Sequence, residues 1–286
     1  MAELVDLMSN LNLSSTEEKT VEDKKEVAVE KPVQRIVKIK KPKDVIQEKV
    51  EEATEEKNAK LKEFFEKCVK GYHLINDDPI KESPWEDINA QILNAAGYTV
   101  QYKSSGSHNS GKDLECSLGT FSNKSILYDT SKNTFQLSSY RLTKVCSDKD
   151  NGTMDNIINE INNRKNFTHY SIIVREEKEK KIKYDWYLIP SDYSALNPNT
   201  YEWSLKTGQK GKNKGIPVGW QTNTIDGSSM SITFSMSSQL WIEIAITDEL
   251  KKHIIATCDI DVGRKMNYID LYEKSTNLPV ISPESV

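Results

Sequence analysis

The five tryptophans of this chain all lie between residues 85 and 241, whereas residues 1–60 are mostly runs of Lys and Glu. A charged stretch with no aromatic side chain and no sustained apolar periodicity cannot bury enough surface to offset the entropy lost on ordering. Residues 1–60 are therefore expected to be a disordered charged arm. Residues 61–286 are expected to form one folded domain. The one basic stretch of the arm, residues 33–43 (VQRIVKIKKPK), is either an electrostatic or localisation element or a solvated charge run.

The formal net charge of -4 gives the chain no global basic field. That weakens a reading as a protein that coats nucleic acid without selectivity, but it leaves a local basic cleft open. The four cysteines, Cys68, Cys116, Cys146 and Cys258, form no Cys-x-x-Cys pair and suggest neither a zinc site nor a disulfide framework. No apolar run reaches the ~20 residues that span a bilayer. The first thirteen residues carry acids where a secretion signal has bases. A soluble, intracellular protein in a reducing compartment is expected, with no membrane partner.

Apolar residues Leu61, Phe64, Phe65, Cys68 and Val69 repeat at helical spacing, and Gly71 with Asp77-Asp78-Pro79 marks the helix end. A second helix is expected from Ser83 as N-cap and Pro84 as first helical residue, with Ile88, Ile92, Leu93 and Ala96 inward and Gly97 at its close. Strands are expected at 98–102, 113–118, 121–127, 170–174, 184–189, 231–236 and 240–246, and a helix at 154–161. Residues 137–145 read as a strand or a helix start. Residues 104–112 (SSGSHNSGK) read as a polar loop, Gly119-Thr120 as a turn, and 190–219 as a long irregular stretch.

One constellation carries chemistry. Asp113 opens the first strand of a hairpin, and Ser122 and Lys124 sit two apart on the returning strand, so their side chains share a face. A tight antiparallel hairpin brings Asp113 beside them. Glu86, in the first turn of the preceding helix, can approach from the side. A carboxylate and an ammonium so placed are what phosphodiester hydrolysis asks for: an oxygen ligand for a hard cation, and a positive group for the nucleophile or the developing charge.

Several segments resemble the PD-(D/E)XK nuclease superfamily, and within it type II restriction endonucleases. They are Trp85-Glu86-Asp87-Ile88-Asn89 with Gly97 after it, Gly106-Ser107-His108 and Gly111-Lys112-Asp113-Leu114, Ser122-Asn123-Lys124-Ser125, Leu137-Ser138-Ser139-Tyr140-Arg141-Leu142-Thr143, Gly219-Trp220-Gln221-Thr222, and residues 234–241. The resemblance covers about residues 83–246. It implies an α/β, restriction-endonuclease-like fold, a mixed central β-sheet flanked by helices. It also implies a Mg2+-dependent, site-specific cleavage of double-stranded DNA, with homodimerisation and a cognate DNA methyltransferase as partner. By the resemblance Asp113 is the central metal ligand, Lys124 orients the attacking water, Glu86 joins the metal site, and the Asn123 backbone carbonyl is a further ligand. Ser122 departs from the pattern, which has Glu or Asp two residues before the lysine. Glu86 or Glu115 is then left to supply the second carboxylate.

Other candidates are less determined. His108 either contacts phosphate or is an ordinary loop residue. Ser138, Ser139, Tyr140 and Arg141 either position the DNA backbone or form a structural polar group. In the loop 206–215, Lys206, Lys210, Lys212 and Lys214 are candidates for phosphate contacts, and Gln209 and Asn213 for reading adenine. The alternative there is a mobile surface loop. Trp203, Trp220 and Trp241 are expected to be anchors of core or loop. The charge of residues 175–183 is expected to be solvated. A non-catalytic DNA-binding module, or an interaction scaffold, is the competing expectation for the whole chain.

Overall fold

The computed structural model describes residues 42–103, 111–146, 152–234 and 238–276. Most of the basic stretch 33–43, His108 and the first 41 residues of the expected arm lie outside them. The chain divides into two units, 1–54 and 55–286. In the first, the described residues are helical backbone.

Helix α1 (Pro42–Ile75) runs through residue 60, in line with a helical pattern that begins near Lys49 and strengthens at Leu61. The Lys and Glu residues that make this segment too polar for a core are good helix formers. From residue 55 on they also pair along the helix: Glu56 with Lys60 at 2.8 Å, Glu63 with Lys67 at 2.6 Å, and Glu66 with Lys70. The helix buries Leu61, Phe65 and Val69 and continues past Gly71, its expected end, to Ile75.

A mixed α/β body follows. Helix α2 spans Glu82–Ala95, then come β1 (Val100–Lys103), β2 (Leu114–Cys116), β3 (Gly119–Asp129) and β4 (Thr134–Arg141). Next are α3 (Met154–Arg164), β5 (His169–Lys178) and β6 (Lys181–Pro190). After two 3-10 turns come β7 (Trp203–Thr207), β8 (Pro217–Thr222), β9 (Ser229–Thr233), β10 (Gln239–Ala245), the short α4 (Asp248–Lys251), β11 (Ile254–Asp261) and α5 (Tyr268–Thr276). The strands form one sheet in the order β11-β6-β5-β3-β4-β10-β9-β8-β7, with β2 also on β3 and β1 on β2. β3 and β5 are parallel, joined through β4 and α3; the other named strand pairs are antiparallel.

Strand alternation divides the core in two. One face carries Ile126, Tyr170, Ile172, Val174 and Ile189, against Ile157 and Ile161 of α3. The other carries Phe121, Ile173, Tyr184 and Trp186, against α1 and α2. Phe65 stacks on Trp186 with ring centroids 5.7 Å apart, and Trp85 meets Trp186 edge-on at the same distance.

Two expectations need correction. The hairpin turn is Ser117-Leu118, with Gly119 already in β3. The stretch 190–219 holds three 3-10 turns and most of the β7–β8 hairpin. Its tip is ordered: Gly208 N–H donates to the Ile216 carbonyl (2.9 Å) and Gly215 N–H to the Gly208 carbonyl (2.9 Å). Gly208 must be glycine, because a Cβ there would lie 2.0 Å from the Asn213 carbonyl oxygen. Residues 137–145 resolve as the end of β4 and a following turn. No described helix is long and apolar enough to cross a membrane.

The turn between α1 and α2 is fixed by a buried polar network. His73 is 4% exposed. Its Nδ1 lies 3.1 Å from the Asn76 carbonyl, which can only accept, so Nδ1 carries the proton. Nε2 then accepts from the Tyr184 hydroxyl at 2.9 Å, and the same hydroxyl accepts the Ile80 N–H at 3.1 Å. Burial holds the His73 pKa below its ordinary value of 6.5. The unfolded chain therefore binds this proton more readily than the folded one. Stability from this group is full above about pH 6.5 and is lost as pH falls through the lowered folded value. Urea midpoints measured between pH 7.5 and 5 should fall in wild type and flatten in His73→Phe. Equal slopes in the two proteins would count against a buried, neutral His73.

Candidate functional site

The site is built on an interruption in sheet pairing. On one edge β3 is paired with β5 continuously from Phe121 to Leu127. On the other edge β2 pairs only with residues 119–121, and β4 only with Tyr128 and Asp129. Between them the edge 122–127 has no strand partner among the described residues. The sheet forks there. The expected catalytic residues Ser122, Asn123 and Lys124 begin that open edge.

Asp113 closes the mouth of the β2–β3 hairpin, donating its N–H to the Phe121 carbonyl at 2.8 Å. Its Oδ2 accepts the Asn123 N–H at 2.7 Å and the Ser122 hydroxyl at 3.2 Å. The open edge of β3 thus spends its first free amide on the Asp113 carboxylate. Lys124 folds back so that Nζ donates to the Asn123 carbonyl at 2.9 Å and to Glu82 Oε1 at 2.5 Å. Lys124 is only 16% exposed. Asp113, Ser122, Asn123 and Lys124 therefore come together as the hairpin argument requires.

The helix carboxylate is a correction. Lys124 bonds to Glu82, one turn before Glu86. Helix α2 begins at Glu82 with Lys81 as N-cap, not at Pro84 with Ser83 as N-cap. Pro84 is then the third helical residue, where its missing N–H has no intrahelical acceptor to lose. Glu82 stands at the positive end of the helix dipole, and Glu86 is half-buried a turn later. The signal for Glu82 was present: residues four apart share a helix face, so either glutamate fits the same pattern.

The position of Glu82 is fixed from both sides. Ile80 is fully buried; its N–H is held by Tyr184, and its carbonyl accepts from Ser125 Oγ at 2.6 Å. Ser125 Oγ in turn accepts from the Arg175 guanidinium at 2.9 Å. Further along the helix, Trp85 Nε1 donates to the Ser171 carbonyl at 3.1 Å, and Asn89 Nδ2 to Asn123 Oδ1 at 2.6 Å. Among the described residues Asn89 Oδ1 and Asn123 Nδ2 are buried without partners. Leaving such an atom unsatisfied costs on the order of 1–3 kcal/mol.

The electrostatics follow from one buried ammonium shared by two carboxylates. Burial holds the Asp113 carboxyl above the ordinary carboxylate range, against the pull of Lys124 and of its two hydrogen-bond donors. Burial alone would lower the Lys124 pKa. Glu82 and Asp113 outweigh it and keep the group above the ordinary lysine range. Beneath the site, Tyr170 is the cross-strand neighbour of Ser122, and its hydroxyl lies 3.2 Å from that of Tyr140. Ser139 makes side-chain hydrogen bonds within this pair, and burial raises both tyrosines. Tyr170 is a neighbour that the sequence pattern does not assign to the site.

Other candidates are placed elsewhere. Glu115 pairs with Lys112 at 2.7 Å. Arg141 is exposed and in register with Gln239 of β10. Lys206 is on β7, while Gln209, Lys210, Lys212, Asn213 and Lys214 are at the exposed β7–β8 tip. Gln209 Nε2 donates to the Thr207 carbonyl at 3.2 Å. Among the described residues no ion pair engages the four lysines, and no hydrogen bond joins that tip to Asp113 or Lys124.

Among the described residues no three His, Cys, Asp or Glu side chains gather as a metal-holding group. The oxygen donors at hand are the carboxylates of Asp113 and Glu82 and the carbonyl of Asn123. No family model matches the chain, and no curated protein or solved structure matches it.

Proposed function

We propose that this chain is a Mg2+-dependent endonuclease with a restriction-endonuclease-like PD-(D/E)XK fold, cutting double-stranded DNA at a short specific sequence. The observation that carries this reading is the meeting of Asp113, Glu82 and the Asn123 carbonyl around Lys124, at the fork of a mixed sheet. Magnesium takes hard oxygen ligands and is held by one or two carboxylates, with substrate phosphate and water supplying the rest. Asp113, Glu82 and the Asn123 carbonyl fit that donor set and would hold it. Once bound, Mg2+ would polarise a phosphoryl oxygen and lower the pKa of a water.

The side chains of this site divide the remaining work. The Lys124 ammonium holds the attacking water or the charge that develops on the phosphate. Ser122, where the family pattern has an acid, donates to Asp113 and fixes its orientation together with the Asn123 amide. Glu82 supplies the second carboxylate that Ser122 cannot. A two-fold dimer would match a palindromic site, with a cognate methyltransferase protecting the same sequence.

Plasmid incubated with purified protein and Mg2+ tests the reading. Discrete fragments with common ends support it. Retarded mobility without cutting would replace it with a DNA-binding module, the reading that Ser122 at the acidic position favours.

In this reading the β7–β8 tip follows DNA phosphates. Replacing Lys210, Lys212 and Lys214 together by Ala should reduce the slope of log Kd against log salt by about 2–3, near 0.9 for each phosphate that a lysine no longer neutralises. An unchanged slope would remove the tip from the interface.

A further inference from the structure

Asn89 and Asn123 are both 0% exposed. One short hydrogen bond joins them, and the other half of each amide is left without a partner. As packing alone this is a poor solution, because two apolar side chains of similar size would orphan nothing. Two features set the pair apart. Asn123 supplies its N–H to Asp113 and its carbonyl to Lys124, while its side chain points through the sheet to α2. Asn89 is on the helix that carries Glu82. The contact is also closer than any apolar pair allows. Its 2.6 Å separation is about 1 Å below the carbon–carbon contact distance.

We propose that Asn89 and Asn123 are positioning residues, whose short amide contact sets the height of α2 over β3 and thereby brings Glu82 onto Lys124. The inference rests on the reading of Glu82 and Lys124 as the working pair of a nuclease. A Leu pair in their place would lift the helix by about 1 Å. A misplacement of that size can cost roughly a hundredfold in rate.

The test reads the Glu82–Lys124 contact directly and needs no DNA. A water-soluble carbodiimide activates the Glu82 carboxyl. The Lys124 amine attacks, an isopeptide bond forms, and the reagent departs as a urea that carries one carboxylate oxygen and the two protons lost by the lysine nitrogen. The yield of the joined peptide is measured by mass spectrometry. The exposed Glu63–Lys67 pair, 2.6 Å apart on α1, serves as internal reference. In Asn89→Leu/Asn123→Leu the thermal midpoint should be at or above that of wild type, because both orphaned atoms are gone. The Glu82–Lys124 yield should nevertheless fall roughly tenfold against the reference, since it depends on a contact that moves by about 1 Å. A merely structural role would move the midpoint and leave the yield alone. An unchanged yield in the folded double variant overturns the proposal.

If the double variant does not fold, Asn89→Gln makes the same decision. Its extra methylene displaces the amide, so a reduced yield supports positioning and an unchanged yield refutes it. A wild-type protein that cross-links as expected and a variant that does not, with neither cutting DNA, support the positioning role while refuting the nuclease.

Discussion

Lys124→Ala is expected to lower single-turnover DNA cleavage by about 10²–10³-fold, the usual loss when one preorganised charge at a developing oxyanion is removed. Asp113→Ala should lose at least as much, because it deletes the carboxylate around which the open edge of β3 is arranged. Neither loss should come from unfolding. Removing the Lys124 side chain breaks its ion pair with Glu82, and the apolar layers on both faces of the sheet stay intact. Thermal melts alongside fragment analysis would show this. Wild-type cutting rates in a folded Lys124→Ala protein would refute the assignment of the site.

The second large effect separates two glutamates one helical turn apart. Glu82→Gln should reduce cleavage about a hundredfold, since it removes the carboxylate that holds Lys124 and would help to hold the cation. Glu86→Gln should stay within a few-fold of wild type. The comparison is like for like: the substitution is isosteric and both residues are on the same helix. A loss at Glu86 that exceeds the loss at Glu82 would return the second carboxylate to the residue that the sequence pattern suggested.

That contrast shows where the sequence was readable and where it was not. The pairing of Asp113 with Ser122 and Lys124 could be anticipated because a short hairpin has few registers. With the turn on Gly119-Thr120 Asp113 would lie level with Ile126, and with the observed turn on Ser117-Leu118 it lies level with Ser122, two residues from Lys124 either way. The Glu82 contact could not be fixed in the same way. Ser83-Pro84 satisfies the local rules for a helix start, but proline is tolerated through the whole first turn, so those rules leave a freedom of a few residues. Tertiary bonds to Ile80 and Trp85 settle it. The β7–β8 hairpin hid for another reason. Leu205 and Ile216 are exposed, and glycine, lysine and asparagine dominate its tip, so no alternation marks it. β11 is concealed by small buried residues, Ala256 and Cys258, that weaken the apolar signal of its inward face. Along 42–60 charge density argued for a solvated arm, and the same residues make a good helix.

The anchors of α2 have a consequence for the protein as it is made. Trp85 is tied to a residue 86 positions downstream, and Ile80 to one 104 positions downstream. β3, which carries Lys124, completes its parallel edge only when β5 is in place. A chain synthesised from its N-terminus thus carries every side chain of the Asp113–Glu82–Lys124 cluster long before it has the strands that hold them in register. Partial products of translation, and fragments that end between residues 124 and 184, hold the ingredients of the site without the strands that set its geometry. The geometry of this cluster, on this architecture, arrives late and all at once.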